Sequence, residues 1–428
     1  MPRQIIQVDE KVGFLTGFPL SLQHLFAMFG ASILVPTLFG INPAIVLLMN
    51  GVGTLIYLII CKGRAPAFLG SSFAFISPVF VVLGADKALW NANYSYALGG
   101  FIASGCIFML VAIIIGIFGS DWIKTVLPPA TMGPIVALIG LELAGVAAEM
   151  AGLIPAGYHP EISSDWIIIS MVTLGTAVFG SILLRGFLSV IPILIAIIIG
   201  YLTAWAMGKI DFAVISSAGY VSMPVFYLPK FDINAILIIL PAALVVISEH
   251  IGHLIVTGKI VAKDLTVDPG LHRSLMGDGI STFISGFTGS VPTTTYGENI
   301  GVMAITRVYS VWVIGGAAVI SIVLAFIGKL SAIIQSIPTP VMGGICLLLF
   351  GIIAASGIRM IVEEKVDYSK SSNLVLTSVV FIVGISGAFL KIGHVQLKGM
   401  ALATVIGMIL SVIFHFLEKY KLTNDAAN

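Results

Sequence analysis

Two stretches, Gly70 to Pro78 (GSSFAFISP) and Gly289 to Gly301 (GSVPTTTYGENIG), interrupt apolar runs that are otherwise long enough to cross a membrane, and they do so at matching places in two halves of the chain. Lipid offers the backbone no hydrogen-bond partner, so non-helical chain at bilayer depth survives only where protein buries it or where it lines a cavity. Paired breaks of this kind mark the binding site in secondary transporters. Whatever this chain folds into must bring two such segments together inside a bundle of helices.

The bundle itself follows from composition. Of 428 residues 58% are hydrophobic and 10% charged, against roughly 25% charged in an ordinary soluble domain. At about 20 mainly apolar residues per span, fourteen candidate segments can be read, some short or broken, beginning near Leu15, Ala44, Ala67, Tyr96, Val126, Trp166, Leu188, Ile233, Leu275, Ser290, Val308, Ala332, Asn373 and Met400. The expected class is an all-α membrane protein. With the N-terminus inside, fifteen of the 21 basic residues fall on one face and six (Lys87, Lys209, Lys230, Lys329, Lys391 and Lys398) on the other. The positive-inside rule then predicts cytoplasmic termini. A net charge of +1 without any basic tract gives no reason to expect a nucleic-acid partner. Cys61, Cys106 and Cys346 sit in or beside apolar spans at no metal-like spacing, and read as packing residues. The first span lacks a short apolar core followed by a small-residue cleavage site, so it does not read as a signal peptide.

Weak self-similarity runs through the chain in consistent order. Gln23-His24-Leu25 resembles Glu249-His250-Ile251, Gly70-Ser71 resembles Gly289-Ser290, and Met132-Gly133 with Ile135 resembles Met342-Gly343 with Ile345. A repeat of seven spans, an odd number, must enter the membrane from the opposite face in its second copy. Such inverted repeats place substrate near the midplane between them.

Ionisable groups at that depth are costly, about 2.5 to 3.5 kcal/mol on insertion scales, and are functional candidates by default. Glu249 lies in a helical run with His253 four residues on and therefore on the same face. The pair either passes a proton or makes structural hydrogen bonds. His250 points about 100° away and reads as structural, as does His24, with Gln23 a polar neighbour of the site. Glu298 sits between Gly297 and Gly301, which permit close approach to a ligand. Tyr296 and Phe73 supply flat faces between which a planar heterocycle can stack. Asp278 either orients the broken helix or touches substrate. Glu142 reads as an interhelical hydrogen-bond partner, and Arg307 as a snorkelling cation. The run EHIGH at 249 to 253 does not suit zinc catalysis, because the working motif is His-Glu-x-x-His and here the histidines are three apart. No metal site and no enzyme are expected.

The run from Glu298 to Arg307 (ENIGVMAITR) matches the signature of the nucleobase-ascorbate transporter family. With SLQHLFAMFGA at 21 to 31, GSSFAFISP at 70 to 78, GLELAGVA at 140 to 147 and SEHIGH at 248 to 253, it makes the chain resemble the uracil-transporting bacterial members from about Gly13 to the last span. The resemblance implies fourteen spans in two inverted seven-span repeats, with short antiparallel strands in spans 3 and 10. A core domain comprises residues 1–125 and 233–331, and a gate domain 126–232 and 332–428. It implies that Glu249 and Glu298 grip a base, that Phe73 and Gly297 offer main-chain N–H groups, that Tyr296 contacts the ring and that Ala31 lies beside it. His253 supports proton coupling, and Asn299 holds Glu298 or its loop. Phe350 and Cys346 stand where uracil carriers can have Tyr and Ser.

The expected activity is uracil import by proton symport across the bacterial cytoplasmic (inner) membrane. The only coupling ion is H+, no other cofactor is expected, and a homodimer through the gate domain is compatible with the resemblance. An ionised carboxylate only accepts hydrogen bonds while a protonated one also donates, so two glutamates in different protonation states match the alternating donors and acceptors of uracil. Two alternatives stay open: a purine carrier of the xanthine or urate type, and an anion exchanger or channel of the same architecture.

Overall fold

In the computed structural model, residues 5–84, 86–155, 162–392 and 395–423 are described. The chain is predominantly helical, and among the described residues eight helices are long and apolar enough to cross a membrane, with four shorter apolar helices beside them. It is a multi-pass membrane protein. A first set contains α1 (Phe14–Phe39), α2 (Pro43–Ile60), strand β1 (Leu69–Ser71), α3 (Ile76–Leu83) and α4 (Trp90–Phe118). Next come α5 (Asp121–Val126), α6 (Pro129–Glu142), α7 (Ala144–Met150), α8 (Ser164–Leu183), α9 (Pro192–Ala206) and the short α10 (Ala213–Ser217). The second half opens with α11 (Ile233–Val261), α12 (Leu271–Thr288), strand β2 (Thr293–Thr295), α13 (Gly297–Thr306), α14 (Val311–Ala325) and α15 (Gly328–Gln335). It closes with α16 (Thr339–Glu363), α17 (Ser371–Ile385), a hairpin of β3 (Phe389–Ile392) and β4 (Val395–Lys398), and α18 (Gly399–Lys419). That hairpin, paired from Phe389↔Lys398 to Ile392↔Val395, was not expected from the sequence.

Local chemistry sets several helix ends. Asn42 accepts a hydrogen bond from the Ala44 N–H at 2.9 Å ahead of Pro43 at the first helical position, and Asp232 caps α11 through the Ala235 N–H at 2.9 Å. Side-chain oxygens here satisfy N–H groups that the first turn leaves without partners. The αL residue Gly40 closes α1.

The helices pack as two groups. In one, α12 packs on both α2 and α4, with α14 on α2 and α1 on α14; in the other, α16 packs on α6 and α8, α8 on α9, and α17 on α6 and α18. Helix α12 is polar for a span, and its Gly277, Gly279 and Gly286 sit where a Cβ would press on Tyr57, Met109 and Ile102. Small residues let backbones approach closely where lipid supplies no hydrophobic drive. Helices α11 and α1 carry much of the contact between the groups, α11 against α6 and α18, and α1 against α9. The N-terminal segment pairs in parallel with residues 307–311, through Ile6 N–H to Arg307 O at 3.0 Å and Tyr309 N–H to Ile6 O at 2.9 Å. Ile6 and Arg307 therefore lie side by side on one face of the molecule.

Candidate functional site

The two interrupted segments meet. Strand β1 pairs antiparallel with β2 in the register Leu69↔Thr295, Gly70↔Thr294 and Ser71↔Thr293. Each strand leads into a half-helix: a 3-10 turn at Phe73–Phe75 running into α3 on one side, and α13 on the other. The pairing answers the backbone problem posed by the sequence, since each broken stretch satisfies the other's main-chain groups away from water. Gly70 makes the approach feasible, because a Cβ there would fall on the ring of Tyr296. Tyr296 is buried, donates its hydroxyl to Ser71 O at 3.2 Å and its N–H to Phe68 O at 3.1 Å. It thus fastens the second segment to the first.

Neither half-helix has a side-chain cap at its N-terminus, in contrast to α2 and α11. Their first N–H groups therefore have no capping side chain. Gly297, the first residue of α13, is exposed, and Glu298 behind it is half-buried.

Helix α11 faces this junction. Four-residue spacing puts Glu249 and His253 on one face, and both reach β2: Thr294 donates its hydroxyl toward Glu249 Oε2 at 3.5 Å, and His253 Nδ1 lies 3.1 Å from Thr295 Oγ1. His253 Nε2 sits 3.5 Å from the position a side chain on Gly297 would take, so glycine keeps that gap open. Glu249, His253 and Gly297, with Gly252, Ile300 and Met360 among others, line a cavity of 140 Å³. It adjoins a 670 Å³ cavity bordered by Lys124, Lys259 and Lys263, the two sharing Gly252, Val256, Met360 and Glu363. The two cavities therefore share part of their walls between the junction and Lys124, Lys259 and Lys263.

Behind the junction lies a fully buried polar set. Asp278 Oδ1 accepts from Thr293 Oγ1 at 3.0 Å, and its other oxygen stands 3.2 Å from His250 Nδ1. That contact is close but poorly aligned, since neither atom has a hydrogen-bond partner of good geometry. His250 Nε2 meets Ser274 Oγ at 2.7 Å, which meets the Tyr57 hydroxyl at 2.9 Å. Asp278 borders neither cavity described above. Its contact with Thr293 sets Asp278 against β2.

The remaining sequence candidates are distributed around the junction. Asn299 is buried and bonds through Nδ2 to His24 Nδ1 at 3.2 Å and to His24 O at 3.1 Å, so it docks α13 on α1. Gln23, beside His24, is buried in α1. The side chain of Ala31 lies outside the described residues. Phe73 is buried and meets Phe350 of α16 edge to face, with ring centroids 6.1 Å apart at 80°. Cys346, one turn earlier on α16, is buried too. Thr293, Thr294 and Thr295 were missed as individual contacts; the run of three hydroxyl-bearing, β-branched residues between Pro292 and Tyr296 was the available signal.

Helices in two packed groups around paired, uncapped half-helices define a membrane transporter fold, and solved structures agree on that. The transmembrane domain of a cyanobacterial bicarbonate transporter, BicA, superposes with a TM-score of 0.64 at 13% identity over 95% of this chain and 100% of that one. Murine Slc26a9, an anion transporter in its inward-facing state, gives 0.70 at 11% identity over 96% and 69%. At such identities the likeness is one of fold. Residues 16–393 match the model of the permease family Xan_ur_permease, and the chain belongs to that family. A uracil permease of Escherichia coli (strain K12) is 60% identical over 419 residues, covering 98% of this chain and 96% of the relative. One of Paenibacillus larvae is 57% identical over 429 residues, covering 99% and 100%. Both are named as permeases and not as enzymes.

Proposed function

We propose that the chain imports uracil by proton symport, with a core body moving against a gate body. The observation that carries this reading is the cavity where Glu249, His253 and Gly297 converge beside the uncapped start of α13. Two carboxylates and free main-chain N–H groups suit the alternating donors and acceptors of a neutral pyrimidine. The near-full-length similarity to uracil permeases supports that choice over a purine. Glu249 and Glu298 grip the base, Phe73 and Gly297 offer N–H groups, Tyr296 backs the ring, and Asn299, Gln23 and Asp278 hold these in place. Ala31 lies beside the ligand.

In this reading the chain has fourteen spans in two inverted repeats, the strands β1 and β2 belonging to the third and tenth. Residues 1–125 and 233–331 form the core, and 126–232 and 332–428 the gate, which also offers a dimer surface. The two packed groups support that division. The protein lies in the cytoplasmic membrane with both termini inside, a reading that the pairing of Ile6 with the Arg307 segment supports. The cavities then open inward, toward Lys124, Lys259 and Lys263.

Glu249, with His253 beside it, carries the coupled proton, the only coupling ion in this scheme. One charge moving down about 100 mV supplies about 2.3 kcal/mol, enough for roughly fifty-fold accumulation. The deciding measurement is radiolabelled uracil uptake into proteoliposomes with and without an imposed proton gradient, for the parent and Glu249→Gln. Gradient-driven accumulation should be lost in the variant; unchanged accumulation removes Glu249 from the coupling. Competition by xanthine tests the purine alternative. An anion carrier shares the fold with this chain, but carboxylates at the site oppose an anion, and chloride flux without nucleobase would revive it.

A further inference from the structure

Glu142 is a carboxylate at the edge of a span that the site does not use, and its two oxygens serve different bodies. Oε2 accepts the N–H of Met400 at 3.0 Å, at the N-terminus of α18, where a negative group is favoured by the helix dipole. Helices α6 and α18 pack together within the gate group, so this bond is internal to the gate. Gly399, at φ 58, stands where any side chain would fall on the carboxylate. Oε1 accepts instead from the hydroxyl of Ser77 at 2.7 Å. Ser77 lies in α3, the half-helix that continues from Phe73 and packs on α4, α11 and α1.

From Phe73 this half-helix runs toward the connection bearing Lys87, on the face with few basic residues. The cavities open at the opposite face, among Lys124, Lys259 and Lys263. We propose that the Ser77 to Glu142 hydrogen bond is a latch joining core to gate on the outer side while the site is open inward, and that it must break for the carrier to face outward. This rests on the core-against-gate reading above. The bond joins bodies that part, whereas the bond to Met400 stays within one of them, so only the first works as a switch.

The test places a reporter cysteine, Ser356→Cys, on the lining of the smaller inner cavity, and follows its alkylation by a small polar maleimide in membranes, with labelling of the chain lacking the reporter subtracted. Ser77→Ala should slow labelling by up to about tenfold, since one ordinary hydrogen bond changes the inward-to-outward equilibrium constant by about two- to tenfold and labelling follows the inward fraction. Ser77→Thr, which keeps the hydroxyl, should restore the parent's rate. An unchanged rate in Ser77→Ala, or equal slowing in both variants, overturns the latch. Uracil uptake by the parent separates the two readings: its absence refutes the transport proposal, while the labelling ratio still reports on the latch.

Discussion

The two broken segments share a scaffold and divide the chemistry. Each consists of a three-residue strand followed by a half-helix without a side-chain cap. The first, Leu69 to Leu83, carries no ionisable side chain and offers aromatic faces and main-chain N–H groups. The second, Thr293 to Thr306, carries Thr293, Thr294 and Thr295 in its strand, then Tyr296, Glu298 and Asn299, and each hydroxyl of the strand reaches a titratable side chain of α11 or α12. Symmetry of the backbone thus serves to place two N-termini face to face, while asymmetry of the side chains confines charge to one of them. An anionic ligand would be favoured by the first arrangement alone; the carboxylate on the second turns the same frame toward a neutral hydrogen-bonding ligand.

If charge recognition lies in the second segment, the largest effect belongs to Glu298→Gln. Hydrogen bonds to a charged group contribute about 1.5 to 3 kcal/mol, so the apparent affinity for uracil should fall by about ten- to 150-fold, as read by substrate displacement on purified protein. A loss below twofold would mean that the base is held by main-chain groups alone. The next effect concerns the frame. Gly70→Ala drives a methyl group into the Tyr296 ring, and overpacking of this kind costs about 1 to 3 kcal/mol. It should lower the thermal unfolding midpoint as well as affinity, whereas Glu298→Gln should change affinity with little effect on the midpoint. Equal destabilisation by both would show that Glu298 is part of the frame.

This division was legible only on one side. Glu298, Glu249 and His253 stood out because each breaks the apolar rule of a membrane span, and the four-residue spacing put the last two on one face without any tertiary knowledge. The breaks themselves were visible for the same reason, as Gly, Ser and Thr where lipid-facing residues were expected. What stayed hidden were the pairings across long separations. Tyr296 with Ser71, Asn299 with His24 and Ser77 with Glu142 are contacts whose partners lie in distant windows, even where one member, such as Glu142, stood out as an interhelical hydrogen-bond partner. Composition carries no record of which polar group meets which, so the role of Asp278 stayed divided between two readings, and His24 on α1 was not named as the partner of Asn299, which was expected to hold Glu298 or its loop. The β3–β4 hairpin was hidden differently, because a short amphipathic pair between two spans looks like an ordinary loop.

The smallest expected effect tests the aromatic half of the comparison. Phe73 and Phe350 meet edge to face at 6.1 Å, an arrangement worth about 0.5 to 1.5 kcal/mol beyond the apolar area it buries. Phe73→Leu keeps an apolar side chain and leaves the backbone free to offer the same N–H. It should therefore weaken uracil binding by only about two- to 13-fold, through loss of the flat face and of its seat on α16. The same displacement assay used for Glu298→Gln ranks the two directly. Should Phe73→Leu prove the more damaging, recognition would rest on shape and stacking in the first segment, and the carboxylate of the second would serve chiefly to accompany the proton.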